Sequence, residues 1–167
     1  MKTLDSFYKH IIVGLDLAEN CNYVLEKAVA LASSCQATLS IAHAIEPMSF
    51  AYGGDLPVDL SAVQEQQIHR AETMLQELAQ NCGYPIRQTH VLVGQPASEL
   101  QYLAEQTTAD LIVVGTRGRK GLALLLGSTS NSVLHGSCCD VMAILIRKPG
   151  DCPEKKPASP DIDIAAG

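Results

Sequence analysis

The chain has 167 residues, 47% of them hydrophobic and 18% charged, a balance that excludes a wholly disordered polymer and allows one domain with a buried core. A formal charge of −6, with no long basic run, excludes a general nucleic-acid binder, whose affinity rests on neutralising phosphates. Apolar stretches reach only four to six residues, far short of a membrane span, and the opening MKTLDSFYKH has no apolar signal region, so the chain reads as cytoplasmic.

HIIVGL, residues 10–15, is a continuous β-branched run of the kind found in strands buried on both faces. Asp16 follows it. The next stretch, AENCNYVLEKAVALASSC, places Val24, Leu25, Ala28, Val29, Leu31 and Ala32 at helical spacing. ATLSIAHAI (37–45) is a second strand, followed by a loop rich in Gly and Pro. Residues 61–81 form a long amphipathic helix with a stripe of Val63, Ile68, Ala71, Leu75 and Leu78, stopped by Cys82 and Gly83.

PIRQTHVLV (85–93) alternates and predicts a strand with one more exposed face. Gly94 and Pro96 turn the chain into a helix over 97–107, and DLIVVG (110–115) is another buried strand. A helix over 128–136 and a last strand over 140–147, DVMAILIR, complete the pattern. Residues 1–148 thus form the domain, and the Pro-rich remainder, 149–167, reads as a flexible tail.

Strands alternating with helices imply a doubly wound α/β fold: a five-stranded parallel sheet in the order 3-2-1-4-5 with helices on both faces. In such folds ligands bind beyond the carboxyl ends of the strands, where the strand order reverses. That point lies between the first strand, which ends at Asp16, and the fourth, which leads into VGTRGRKGLALLLGSTSNS. Gly115 is expected to let the chain turn, and Gly118 and Gly127 to allow close backbone approach. Ser128 or Thr129 can cap the following helix, whose N–H groups attract an anion, and Arg117 adds positive charge. The same residues would equally serve an ordinary strand-to-helix turn.

Asp16 has two readings: a carboxylate for ribose hydroxyls or Mg²⁺, or a helix cap. His43, in an apolar strand, reads as a core histidine. Neither a Walker A loop nor a three-glycine dinucleotide fingerprint is present, and no carboxylate pair or nucleophile elbow suggests catalysis. The chain is at most a slow ATPase. Cys21, Cys35, Cys82, Cys138, Cys139 and Cys152 lack metal-site spacing and read as small hydrophobes, with the adjacent Cys138 and Cys139 as the redox candidates.

KHIIVGLDLAENCNYVLEKAVALA, LSIAHAIEP and VLVGQPASELQYLAEQTTADLIVVGTRGRKGLALLLGSTSNSVLHGSCCDVMAILI together resemble the universal stress proteins, those of the A type in particular, over residues 8–148. The resemblance implies a cytoplasmic homodimer of this same fold, with ATP or AMP held between the first and fourth strands. It carries a nucleotide role onto Asp16, onto Ala44 for adenine, and onto Gly115, Gly118, Gly127 and Ser128 for the phosphates, with Thr129 and Arg117 beside them. The family's motif has nine residues between its second and third glycines; here Gly118 and Gly127 enclose eight. Two functions therefore stand side by side: a nucleotide-dependent regulatory module, and a nucleotide-free dimeric interaction protein that works through its last strand.

Overall fold

Runs that bury Ile, Val and Leu on both faces become the strands of one sheet, and the amphipathic segments between them become its covering helices. The computed structural model describes residues 7–47, 60–117 and 128–146. In chain order the elements are β1 (His10–Gly14), α1 (Cys21–Cys35), β2 (Thr38–Ile45), α2 (Leu60–Asn81) and β3 (Ile86–Val93). They continue with α3 (Pro96–Thr107), β4 (Leu111–Arg117), α4 (Ser128–Gly136) and β5 (Asp140–Ile146). All pairings are parallel and the order is β3-β2-β1-β4-β5, as the alternation of elements predicts.

The period of two along each strand divides the core. Ile11, Val13, Leu39, Ile41, Leu111 and Val113 face α1 and α2, where they meet Val24, Leu25, Ala28 and Leu75. Ile12, Ala42, Ile112 and Val114 face the other way, against Leu100, Leu103, Ala104 and Val133. Because β1 and β4 are covered on both sides, their sequences show no polar alternation. β3 and β5 are the two edges. On β5, Leu145 is 41% exposed while Ile144 packs against the core, so the outer strand has one free apolar side chain.

Local chemistry sets the joints. Pro96 stands in the first turn of α3, where its missing N–H costs nothing. Helices α1 and α3 end on left-handed residues, Gln36 and Thr108, whose N–H groups return to the last helical carbonyls. Gly83, at φ +71°, follows α2 in the same left-handed region.

At the amino ends of the strands lies a polar knot that spacing alone does not reveal. The Asp110 carboxylate accepts from the backbone N–H groups of Lys9 (2.8 Å) and His10 (3.1 Å), tying the entry of β1 to that of β4. The buried His10 ring has Nδ1 3.3 Å from the Thr107 carbonyl oxygen and Nε2 2.9 Å from Ser40 Oγ. A carbonyl can only accept, so Nδ1 carries the proton and the Ser40 hydroxyl donates to Nε2. His90, on β3, encloses its Nε2 without a partner among the described residues. Burial foremost holds both imidazoles below their ordinary value. Among the smaller influences on His10, the Thr107 carbonyl opposes that shift, Arg87 adds to it and Asp110 opposes it. His10 in turn lowers His90.

Candidate functional site

Where β1 and β4 part, their carboxyl ends and the start of α4 enclose a cleft of about 450 Å³. Asp16, Ala44, Gly115 and Thr129 all line it, so four of the site residues expected from sequence come together in one place. Arg117 is the last residue of β4 and Ser128 the first of α4, which brings their backbones to the same end of the sheet; their side chains lie outside the described residues. Gly118 and Gly127, with the loop between them, also lie outside the described residues, as do Cys152 and the tail.

Asp16 is exposed and accepts a hydrogen bond from the Ala18 N–H at 3.1 Å. Helix α1 begins five residues later, with Asn20 at its N-cap, so Asp16 shapes the turn and does not cap the helix. Leu17, next to it, adopts φ +54°, a left-handed conformation that costs a branched side chain energy. The turn thus carries local strain beside the cleft.

Gly115 does not turn the chain. β4 runs two residues past it, and its neighbour Thr116 is buried at the rim. What the missing side chain provides is room: a Cβ there would stand 2.9 Å from both Val24 Cγ2 and Ile146 Cδ1. Nor is Thr129 a cap, since α4 is already helical at Ser128. Thr129 instead sits in the first turn, half-buried and lining the cleft, at the end of α4 where backbone N–H groups lack helical partners.

Three residues that sequence reasoning did not assign to the site are part of it. The Ser130 hydroxyl, 1% exposed, donates to the Gly115 carbonyl at 3.1 Å and ties the first turn of α4 to the strand. His43, expected in the core, is half-buried and lines the cleft; its Nδ1 lies 2.7 Å from the Leu15 carbonyl oxygen. Cys21, at the start of α1, also lines the cleft, and burial pushes its thiol up, with Asp16 adding to the shift. The signal for His43 was its place near the carboxyl end of β2, where a side chain leaves the core for the ligand side.

The arrangement offers the N–H groups of a helix start and the Thr129 hydroxyl at the β4 side, and a carboxylate just beyond the end of β1. Those groups suit an anionic ligand with a hydroxylated body. No group of three or more His, Cys, Asp or Glu with metal-site geometry occurs among the described residues. Cys138 is exposed and Cys139 half-buried; burial foremost raises the Cys139 thiol, away from the reactive thiolate.

The sequence pattern of the Universal stress protein family matches residues 7–144. The chain belongs to the universal stress protein family. Universal stress protein A homolog 1 of Coxiella burnetii is 39% identical over 142 residues, spanning 84% of this chain and 99% of the relative. Among solved structures, a universal stress protein from Lactobacillus plantarum superposes with a TM-score of 0.69 at 25% identity, covering 82% of this chain and 97% of that one. A universal stress protein solved in complex with cAMP matches with a TM-score of 0.56, also at 25% identity, over 83% of this chain and 97% of the other. The family fold expected from the quoted segments is thus present. No helix among the described residues is long and apolar enough to cross a membrane.

Proposed function

We propose that this universal stress protein is a cytoplasmic regulatory module that binds an adenine nucleotide in the cleft between β1 and β4 and signals through its liganded state. The observation that carries this reading is the convergence of Asp16, Ala44, Gly115 and Thr129 on one cleft at the fork of the sheet. The relative solved with cAMP supports it from outside the chain. ATP or AMP, with or without Mg²⁺, would lay its phosphates toward Thr129, Ser128, Gly118, Gly127 and Arg117. Its ribose would meet Asp16, and its base would lie near Ala44. Nothing in this assignment asks for hydrolysis, and turnover of ATP would be slow.

Titration calorimetry of nucleotide-stripped protein with ATP and Mg²⁺ tests the reading, with micromolar binding expected. Asp16→Ala should then weaken binding by about 1–3 kcal/mol, the cost of an unmade bond to a charged group. Absence of heat with ATP and AMP alike would overturn it.

A second reading is favoured by the outer edge of the sheet. β5 presents Leu145 to solvent beside a groove formed with Asn20, Tyr23 and Lys27. An apolar edge of this kind is protected when a second copy covers it. In this reading the protein is a nucleotide-free homodimer through its last strand and works by its surface.

A further inference from the structure

The two ends of the cleft offer a ligand opposite things. On the β4 side are the first turn of α4 and the Thr129 hydroxyl, both able to donate. At the β2 end stand His43 and Glu46, and the Glu46 carboxylate can only accept. An anionic tail therefore goes to the first end, and a donor-bearing head to the second.

His43 is fixed for that second task. The Leu15 carbonyl oxygen, 2.7 Å from Nδ1, accepts only, so the ring proton of the neutral imidazole sits on Nδ1. Nε2 then carries a lone pair, and it makes no hydrogen bond to any of the described residues. The ring lines both the cleft and an adjoining groove of about 440 Å³ beside Leu17, Arg70 and Met74. With Nδ1 turned inward to β1, Nε2 is left for whatever occupies these spaces.

We propose that His43 selects the base: its Nε2 accepts a hydrogen bond from the 6-amino group of a purine and disfavours 6-oxo purines, whose oxygen would oppose the lone pair. This inference rests on the reading of the cleft as a nucleotide site and specifies which nucleotides that site takes. A site that hydrogen-bonds a ligand N–H rejects the analogue lacking it, because its own polar group is left unpaired.

The test compares ATP with ITP, which carries oxygen in place of the 6-amino group, by calorimetry on the nucleotide-stripped full chain. At least a tenfold preference for ATP is expected. His43→Asn keeps an N–H where Nδ1 stood and removes the Nε2 acceptor, so the two affinities should converge while circular dichroism stays native. A preference that survives in His43→Asn would overturn the proposal. Equal affinity of the unaltered protein for ATP and ITP would overturn it and leave the nucleotide site standing, whereas no binding of either overturns both. Nitrogen-15 NMR of the His43 ring gives a check that needs no variant. The proton is expected on Nδ1, with the Nε2 resonance moving on addition of ATP but not of ITP; a proton on Nε2 in the free protein would overturn the assignment.

Discussion

A methyl group at Gly115 would approach both Val24 and Ile146 to 2.9 Å, on α1 and β5 respectively. Val24 is short, branched and 2% exposed, so it has little freedom to withdraw. Gly115→Ala should therefore destabilise the fold by about 1–3 kcal/mol, read as a lower urea midpoint with an unchanged m-value. An unaltered midpoint would mean that Val24 and Ile146 yield to the added methyl and that the close approach does not require glycine. Sequence alone misassigned this glycine because a missing Cβ serves a turn and a close approach alike, and spacing does not say which neighbours will arrive. His43 was misjudged for a related reason. Its position within an apolar strand is legible, but the point where the strand emerges from its covering helices depends on the register with β1, where Gly14 pairs with Ala42. Asp16, by contrast, lies close to where the sequence puts it, two residues past the end of β1 at Gly14, because a lone carboxylate after a β-branched run marks the strand's exit.

At the scale of elements, periodicity carried most of the information. Continuous runs in β1 and β4 identified strands covered on both faces, and the helical stripe stopped by Cys82 and Gly83 located α2 to within one residue at its start. What periodicity could not supply were the polar ties between elements, because they join residues distant in sequence. The clearest is the knot of His10, Ser40 and the Thr107 carbonyl, with His90 on the same face of the sheet. Both imidazoles are held below the unfolded value of about 6.5 by burial, so the folded state keeps them neutral where an unfolded chain would take up protons. Their contribution to stability is present above that value and declines as pH falls toward their folded values. Arg87 and Asp110, the charged groups that act on His10, pull in opposite directions and do not change the sign. The urea midpoint should thus fall between about pH 7.5 and about pH 5.5, and His10→Asn should flatten that fall. A midpoint that does not change across this interval would mean that the knot does not titrate with folding.

For the whole molecule, the doubly wound order follows from alternating elements and right-handed crossovers, which is why sheet topology was readable from the chain alone. Assembly was not, since an edge strand looks the same whether a loop, a tail or a second copy covers it. Leu145→Lys is the cleaner probe of that edge, because Ile144 also packs against the core and its replacement would confound assembly with folding. Light scattering should report a dimer for the unaltered protein and a monomer for Leu145→Lys; a dimer in both would move the interface elsewhere.

Ile146 closes both the cleft at the fork of the sheet and the groove along its outer edge. One side chain is thus a wall common to two compartments, and an occupant that displaces it on one side alters the shape offered on the other. Whatever free energy passes through that wall is the same in both directions. If nucleotide tightens the association of two copies, association tightens the hold on nucleotide by an equal factor, and the apparent affinity for the ligand becomes a function of how much protein the cell contains.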